Sequence, residues 1–158
     1  MEPSDEDITK AYCELLDMDI PVDNPYFAYI SEMRIAQASL GIAASDSKRV
    51  MVTRSLLDIL DTLYENLFDS DSVIPDNLRK PLNHEQEVWL DLKEKMSQGD
   101  LRSANLLSAH AHMKLALRYL LMMRNDPLFK DKVSDYLINY LGKLSIMTYR
   151  EAMGHVLL

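Results

Sequence analysis

Through most of this chain apolar side chains recur alternately three and four residues apart, the spacing that lines one face of an α-helix, and no other feature constrains the fold as strongly. Val52, Leu56, Ile59, Leu60, Leu63 and Leu67 form the clearest such stripe, ending at Phe68. Asn24 followed by Pro25 reads as an N-cap and a first-turn proline, opening a helix whose face is Tyr26, Ile30, Met33, Gln37 and Leu40. The end of that helix is rich in small residues (Ala36, Ala38, Ser39, Gly41, Ala43, Ala44), which let a neighbouring helix approach closely.

The same reasoning predicts an N-terminal helix from near Asp5, on Ile8, Ala11, Tyr12, Leu15 and Leu16, stopped by Pro21. Residues 69–82 read as an internal loop, in which Pro81 limits Asp76 to Lys80 to a short turn. Asn83 with Gln86 resembles a capping box and opens a fourth helix on Val88, Trp89, Leu92 and Met96, closed by Gly99, with Asp100 capping the next. That fifth helix, Leu101 to about Arg124, carries two strips: Ala104, Ser108, Ala111, Leu115 and Tyr119, and Leu106, His110, Met113, Leu117 and Leu120. A helix apolar nearly all round is central in its bundle or lies in a subunit interface. Asp126 and Pro127 are expected to start the last helix, on Phe129, Val133, Tyr136, Leu137, Tyr140, Leu144 and Met147, with Gly142 a point where it could break. The expectation is all-α: a single domain over 1–158, a bundle of five to six helices with the hydrophobic fifth at its centre, and residues 1–24 as an N-terminal helix and loop that form a candidate arm.

Catalytic and cofactor signatures are scarce. The four glycines, at 41, 99, 142 and 154, are too dispersed for a phosphate-cradling loop or for a G-x-S-x-G nucleophile turn. No Glu has a His three residues on, as a carboxylate di-iron site in a helical bundle requires, and His84-Glu85-Gln86-Glu87 lacks a second His. His110 and His112 stand about 200° apart on a helix and cannot close on one metal. Asp58, Asp61 and Glu65 fall opposite an apolar stripe and read as a solvated face. The one cysteine, Cys13, has no partner for an intramolecular disulfide, and no catalytic motif surrounds it. The expectation is a non-enzyme with no cofactor and no metal.

A net charge of −8 argues against general nucleic-acid binding. The charge is unevenly spread, with 9 Lys and Arg against 21 Asp and Glu in residues 1–100 but 8 against 4 in residues 101–158. No apolar run reaches the length of a membrane span, and the acidic start MEPSDEDI is unlike a signal peptide, so the expected location is cytoplasmic. Ten methionines, with Met122-Met123 beside Tyr119, suggest an adaptable binding surface. The function expected is that of a protein–protein interaction protein (an adaptor, regulator or chaperone-like subunit) that binds a protein partner or its own copies through Tyr119, Met122, Met123, Phe129, Tyr136 and Tyr140. The rival expectation is an enzyme or small-molecule carrier with a pocket lined by Asn105, His110, His112 and Tyr119. A self-assembling structural component is the third.

The segment Thr53-Arg54-Ser55-Leu56-Leu57, then IPDNLR at 74–79, then an amphipathic helix with Trp89, resembles the small helical flagellar biosynthesis regulators of alphaproteobacteria. In those an Arg-bearing apolar helix precedes a Leu-Pro-x-x-x-Arg turn and a further helix. Here Ile74 stands where the pattern has Leu, the spacing from Arg54 to Pro75 is longer, and the chain after Arg118 has no counterpart. The resemblance implies a small helical regulator.

Overall fold

The first long helix begins where its capping residues require. Asn24 Oδ1 accepts the backbone N–H of Tyr26 at 3.0 Å, Pro25 occupies the first turn where no N–H is needed, and α1 runs over Pro25–Ser45. The computed structural model describes residues 9–45, 50–84 and 101–153. After α1 come α2 (Val50–Asn66), a short α3 (Asp76–Leu82), α4 (Leu101–Arg124) and α5 (Asp135–Ala152), so that the described residues are mostly helical. The predicted fourth helix, with Gln86, Trp89, Gly99 and Asp100, lies outside the described residues, as does the expected start near Asp5.

The N-terminal expectation is corrected. Lys10–Cys13 (β1) and Met18–Pro21 (β2) pair antiparallel, with Ala11 opposite Ile20 and Cys13 opposite Met18. Alternation with period two buries Cys13 and Ile20 while Lys10, Tyr12 and Asp19 face out. Asp17 in the turn takes a positive φ of 52°, a conformation Asp tolerates better than most residues, and its carboxylate accepts the Tyr12 hydroxyl at 2.6 Å. The fold is therefore mostly helical, as expected, with a small two-stranded hairpin ahead of α1.

Two further boundaries differ from expectation. α3 continues through Pro81, which sacrifices only one bond of a two-turn helix, and Asn83 is its C-terminal cap. Asp126 does not start the last helix: its carboxylate accepts Leu128 N–H at 2.9 Å and Asn24 Nδ2 at 3.1 Å, holding residues 125–133 in a compact turn from which Phe129 is fully buried. α5 begins instead after Ser134, whose hydroxyl accepts Leu137 N–H at 3.0 Å and donates to Asn66 at 3.0 Å. Gly142 causes no break.

α4 packs antiparallel to α1 along a seam marked by Ser39–Ser108 (3.2 Å) and His112–Glu32, with Asn24–Asp126 beyond the end of α4. Its other flank meets α5, where His110 lies against the Ser145 carbonyl and Leu117 beside Gly142. α2 closes on α1, through Gln37–Asp61 and the Arg34 guanidinium over the Tyr64 ring, and on α5. The core is built from Tyr29, Met33, Leu40, Leu60, Leu106, Met113, Leu120, Leu137 and Leu144, each with no exposed surface. At one end of the molecule Arg102 reaches Glu151 (2.7 Å) and Thr53 (3.1 Å), joining the starts of α4 and α2 to the end of α5 in a largely buried clasp.

A Cβ added at Gly142 would sit 3.8 Å from Leu117, ordinary contact, and one at Gly41 would meet nothing within 4 Å. Gly142→Ala and Gly41→Ala should each raise stability by about 0.5–1 kcal/mol, read from thermal or denaturant unfolding. Glu151→Ala leaves the Arg102 guanidinium without its counter-charge and should cost about 2 kcal/mol by the same measurement, whereas replacing both partners with apolar residues should cost less.

Candidate interaction surface

α1 has two apolar faces, only one of which the core uses. Tyr26, Tyr29, Met33, Ala36, Leu40 and Ala43 point inward. On the opposite side Ser31, Ile35, Ala38, Ile42 and Ser45 are exposed, spaced alternately four and three residues apart, with Ile35 42% and Ile42 49% accessible. α4 repeats the arrangement: Leu101, Ala104, Ala111 and Met122 are exposed, and Ser108 and Leu115 are half-buried on the same side. At about 100° per residue these positions fall beside the seam residues Ser108 and His112 and away from the flank that meets α5. Because the helices are antiparallel, the two stripes lie on one side of the helix pair, opposite the core. The pair thus forms an outer layer whose solvent side is made of Ala, Ser, Ile, Leu and Met. Its charges are Arg34 and Arg118, one along each edge, and Glu32, which meets His112 in the seam.

The six residues singled out from sequence divide. Met122 is 52% exposed and belongs to this outer face, with Tyr119 half-buried on the same helix. Met123 and Phe129 are fully buried, Phe129 stacking on Tyr26 with ring centroids 5.6 Å apart. Tyr140 is buried against Tyr136 and donates to Asn83 at 3.2 Å, while the Tyr136 hydroxyl accepts Ile74 N–H at 2.8 Å. These four build the core and pin the 69–82 segment to α5, so they form no surface with Met122. What sequence reading passed over was the second stripe of α1. Its signal was present in the alternate spacing of Ser31, Ile35, Ala38, Ile42 and Ser45.

The rival pocket does not assemble. His110 turns to α5 and the Tyr149 ring, His112 to Glu32 of α1, and Asn105 donates to the Leu101 carbonyl at 2.9 Å. Asp58, Asp61 and Glu65 are exposed, as their position opposite the stripe predicts. Among the described residues no group of three or more His, Cys, Asp and Glu side chains could hold a metal ion, and no helix is long and apolar enough to cross a membrane. A cleft of about 320 Å³ lies between the end of α2 and the start of α5, but its buried amide, Asn66, is already bonded to Ser72 and Ser134.

Burial dominates the tyrosines of α1. It pushes Tyr26 up to about 12, reinforced by the neighbouring Cys13 thiol and opposed by a backbone contact from Leu15. Tyr29 is raised further by complete burial, then by Tyr64, and no described residue gives its hydroxyl a hydrogen-bond partner.

Hairpin, helices and outer face together define a small, mostly helical protein with a largely apolar helical surface. The chain belongs to the family described as Domain of unknown function (DUF1940), whose model matches residues 12–154. Comparison with curated proteins gives no match.

Unfolded tyrosines ionise near 10.0, below Tyr26 and Tyr29 in the folded chain, so folding favours their protonated forms. Stability should therefore be insensitive to these groups below pH 10 and fall as pH rises from there through about 12, with late tyrosinate absorbance appearing together with loss of helicity. Tyr29→Phe removes an unpartnered buried hydroxyl and should stabilise the protein by about 1 kcal/mol in chemical denaturation.

Proposed function

We propose that this is a non-enzymatic interaction protein, an adaptor or regulatory subunit of the cytoplasm, whose helices form a single bundle that presents the outer face of α1 and α4 to a protein partner. The observation that carries the reading is that face. A helix apolar on all sides is ordinarily buried on all sides, yet Ser31, Ile35, Ala38, Ile42 and Ser45 of α1 stand in solvent. Contiguous apolar surface of this kind marks interaction sites. The alternation of Ile or Leu with Ala or Ser supplies ridges and grooves of the sort into which another helix packs. Met122 adds an adaptable side chain at one end.

The divergence of His110, His112 and Asn105 supports the same choice over a pocketed enzyme. An acidic chain with a largely apolar face is also better suited to an apolar protein surface than to phosphates.

Native mass spectrometry of the untagged protein, purified from its own source, tests this. The wild type should carry an added polypeptide mass, and the double variant Ile42→Glu, Leu101→Glu should lose it with its circular dichroism unchanged. A complex that survives the double variant intact places the contact elsewhere. A bound small molecule or metal, lost on His110→Ala, would overturn the reading in favour of the pocketed enzyme.

A further inference from the structure

The cavities and clusters of the molecule lead back to the outer face. The cleft at Asn66 has its buried polar groups satisfied, the buried Tyr29 hydroxyl opens into no described cavity, and the small hollow beside Gly41, Ala44 and Arg54 offers one cation and no anchoring partner. The α1/α4 face is different, because its own pattern specifies what fits it.

We infer that the occupant of this face is a second copy of the chain, which packs its α1/α4 pair against the first about a two-fold axis to make a four-helix interface. The inference rests on the interaction reading above and adds the identity of the partner. Three observations argue for it.

The first is self-complementarity. A two-fold interface brings one patch against itself, so protrusions and hollows must both be present on it. Along α1, Ile35 and Ile42 alternate with Ser31, Ala38 and Ser45; along α4, Leu101 and Leu115 are separated by Ala104, Ser108 and Ala111. Large side chains of one copy have small-residue hollows of the other to enter, at the spacing of left-handed helix packing.

The second is charge. The chain carries a net −8, so most of its surface would repel a copy of itself. The face is where that repulsion is absent, since its carboxylate, Glu32, is paired with His112 and its other charges, Arg34 and Arg118, are cationic and lie at its two rims. A partner selected by charge would need a charged face to read.

The third is size. Two helices of 21 and 24 residues present a strip about 30 Å long and, at roughly 10 Å between axes, about 20 Å wide. Two such strips bury on the order of 1,200 Å² in total, at the threshold of a stable specific interface and above that of an incidental contact.

Sedimentation velocity on the purified full-length chain, over a concentration series from low micromolar upward, tests the inference. The wild type should sediment as a dimer. Ala38→Arg and Ala111→Arg, one on each helix, should each weaken association by about 100-fold or more, because each buries an unpaired charge, while circular dichroism and thermal midpoint stay close to wild type. Val73→Arg, which changes an exposed apolar residue off the face, should remain dimeric. A dimer that persists in both face variants overturns the inference by placing self-association elsewhere. A monomeric wild type also overturns it, and its behaviour then assigns the face. If native mass spectrometry shows a different polypeptide that Ala111→Arg releases, the interaction reading stands with a foreign partner. If the fluorescence of Trp89, the chain's one tryptophan, shifts on Ala111→Arg in the monomer, residues 85–100 cover the face and the interaction reading fails with the dimer.

Discussion

Close approach of α1 to α4 is the contact on which the remaining architecture hangs. It is made with small side chains: Ala36, Ser39 and Ala43 on α1, Ala109 and Ala116 on α4, all buried, with the Ser39 and Ser108 hydroxyls meeting at 3.2 Å. Small residues at a helix contact bring the axes together and leave the long side chains to interdigitate on either side of it. Tyr29, Met33 and Leu40 then fill one side together with Met113 and Leu120, and that filled side is the surface against which α2 and α5 pack. On the other side the same close approach brings two stripes of Ile, Leu, Ala and Ser edge to edge. One contact thus generates both the core and the outer face.

The ends of this layer are held by polar groups that would be costly to bury singly. Arg102 donates to Glu151 and Thr53 where α2 and α4 start and α5 finishes. At the opposite end Asn24 and Asp126 join the entry to α1 with the exit from α4, and Asn66, Ser72 and Ser134 connect the end of α2 to the start of α5. Each cluster combines a helix terminus, whose backbone groups need partners, with a loop that supplies them. The helices are thereby fixed in length as well as in position.

The helical regions were legible because they are long. Leu56, Ile59, Leu60 and Leu63 could be assigned from spacing alone, and all are buried. Asn24-Pro25 located the start of α1 because its capping chemistry is local. The hairpin was not legible: Ala11, Tyr12, Leu15 and Leu16 satisfy a helical period by coincidence, and two strands of four residues are too short to display a period of two against it. Asp126 misled for a different reason. It does act on the backbone ahead of it, but in a turn, and what decided the outcome was Phe129 finding the Tyr26 ring, a contact between residues far apart in sequence. The candidate site divides for a related reason. Tyr136, Tyr140 and Phe129 have the composition of an interface, and composition does not distinguish aromatics that meet a partner from aromatics that meet each other. The stripe on α1 was visible in the spacing, but which of two apolar faces turns inward is settled by the neighbouring helix.

The seam also has a consequence in time. Its partners are separated by 69, 80 and 102 residues, at Ser39–Ser108, Glu32–His112 and Asn24–Asp126. During synthesis α1 therefore emerges with both apolar faces bare and waits for α4 before either its core side or the alignment of its outer side can be established. Until then the hairpin before it and α2 after it are its nearest neighbours in sequence among the described elements. A helix so built is at its most adhesive before the protein is complete, and the small hairpin, placing Cys13 and Ile20 in the core beside the first turns of α1, is the earliest element able to cover part of it.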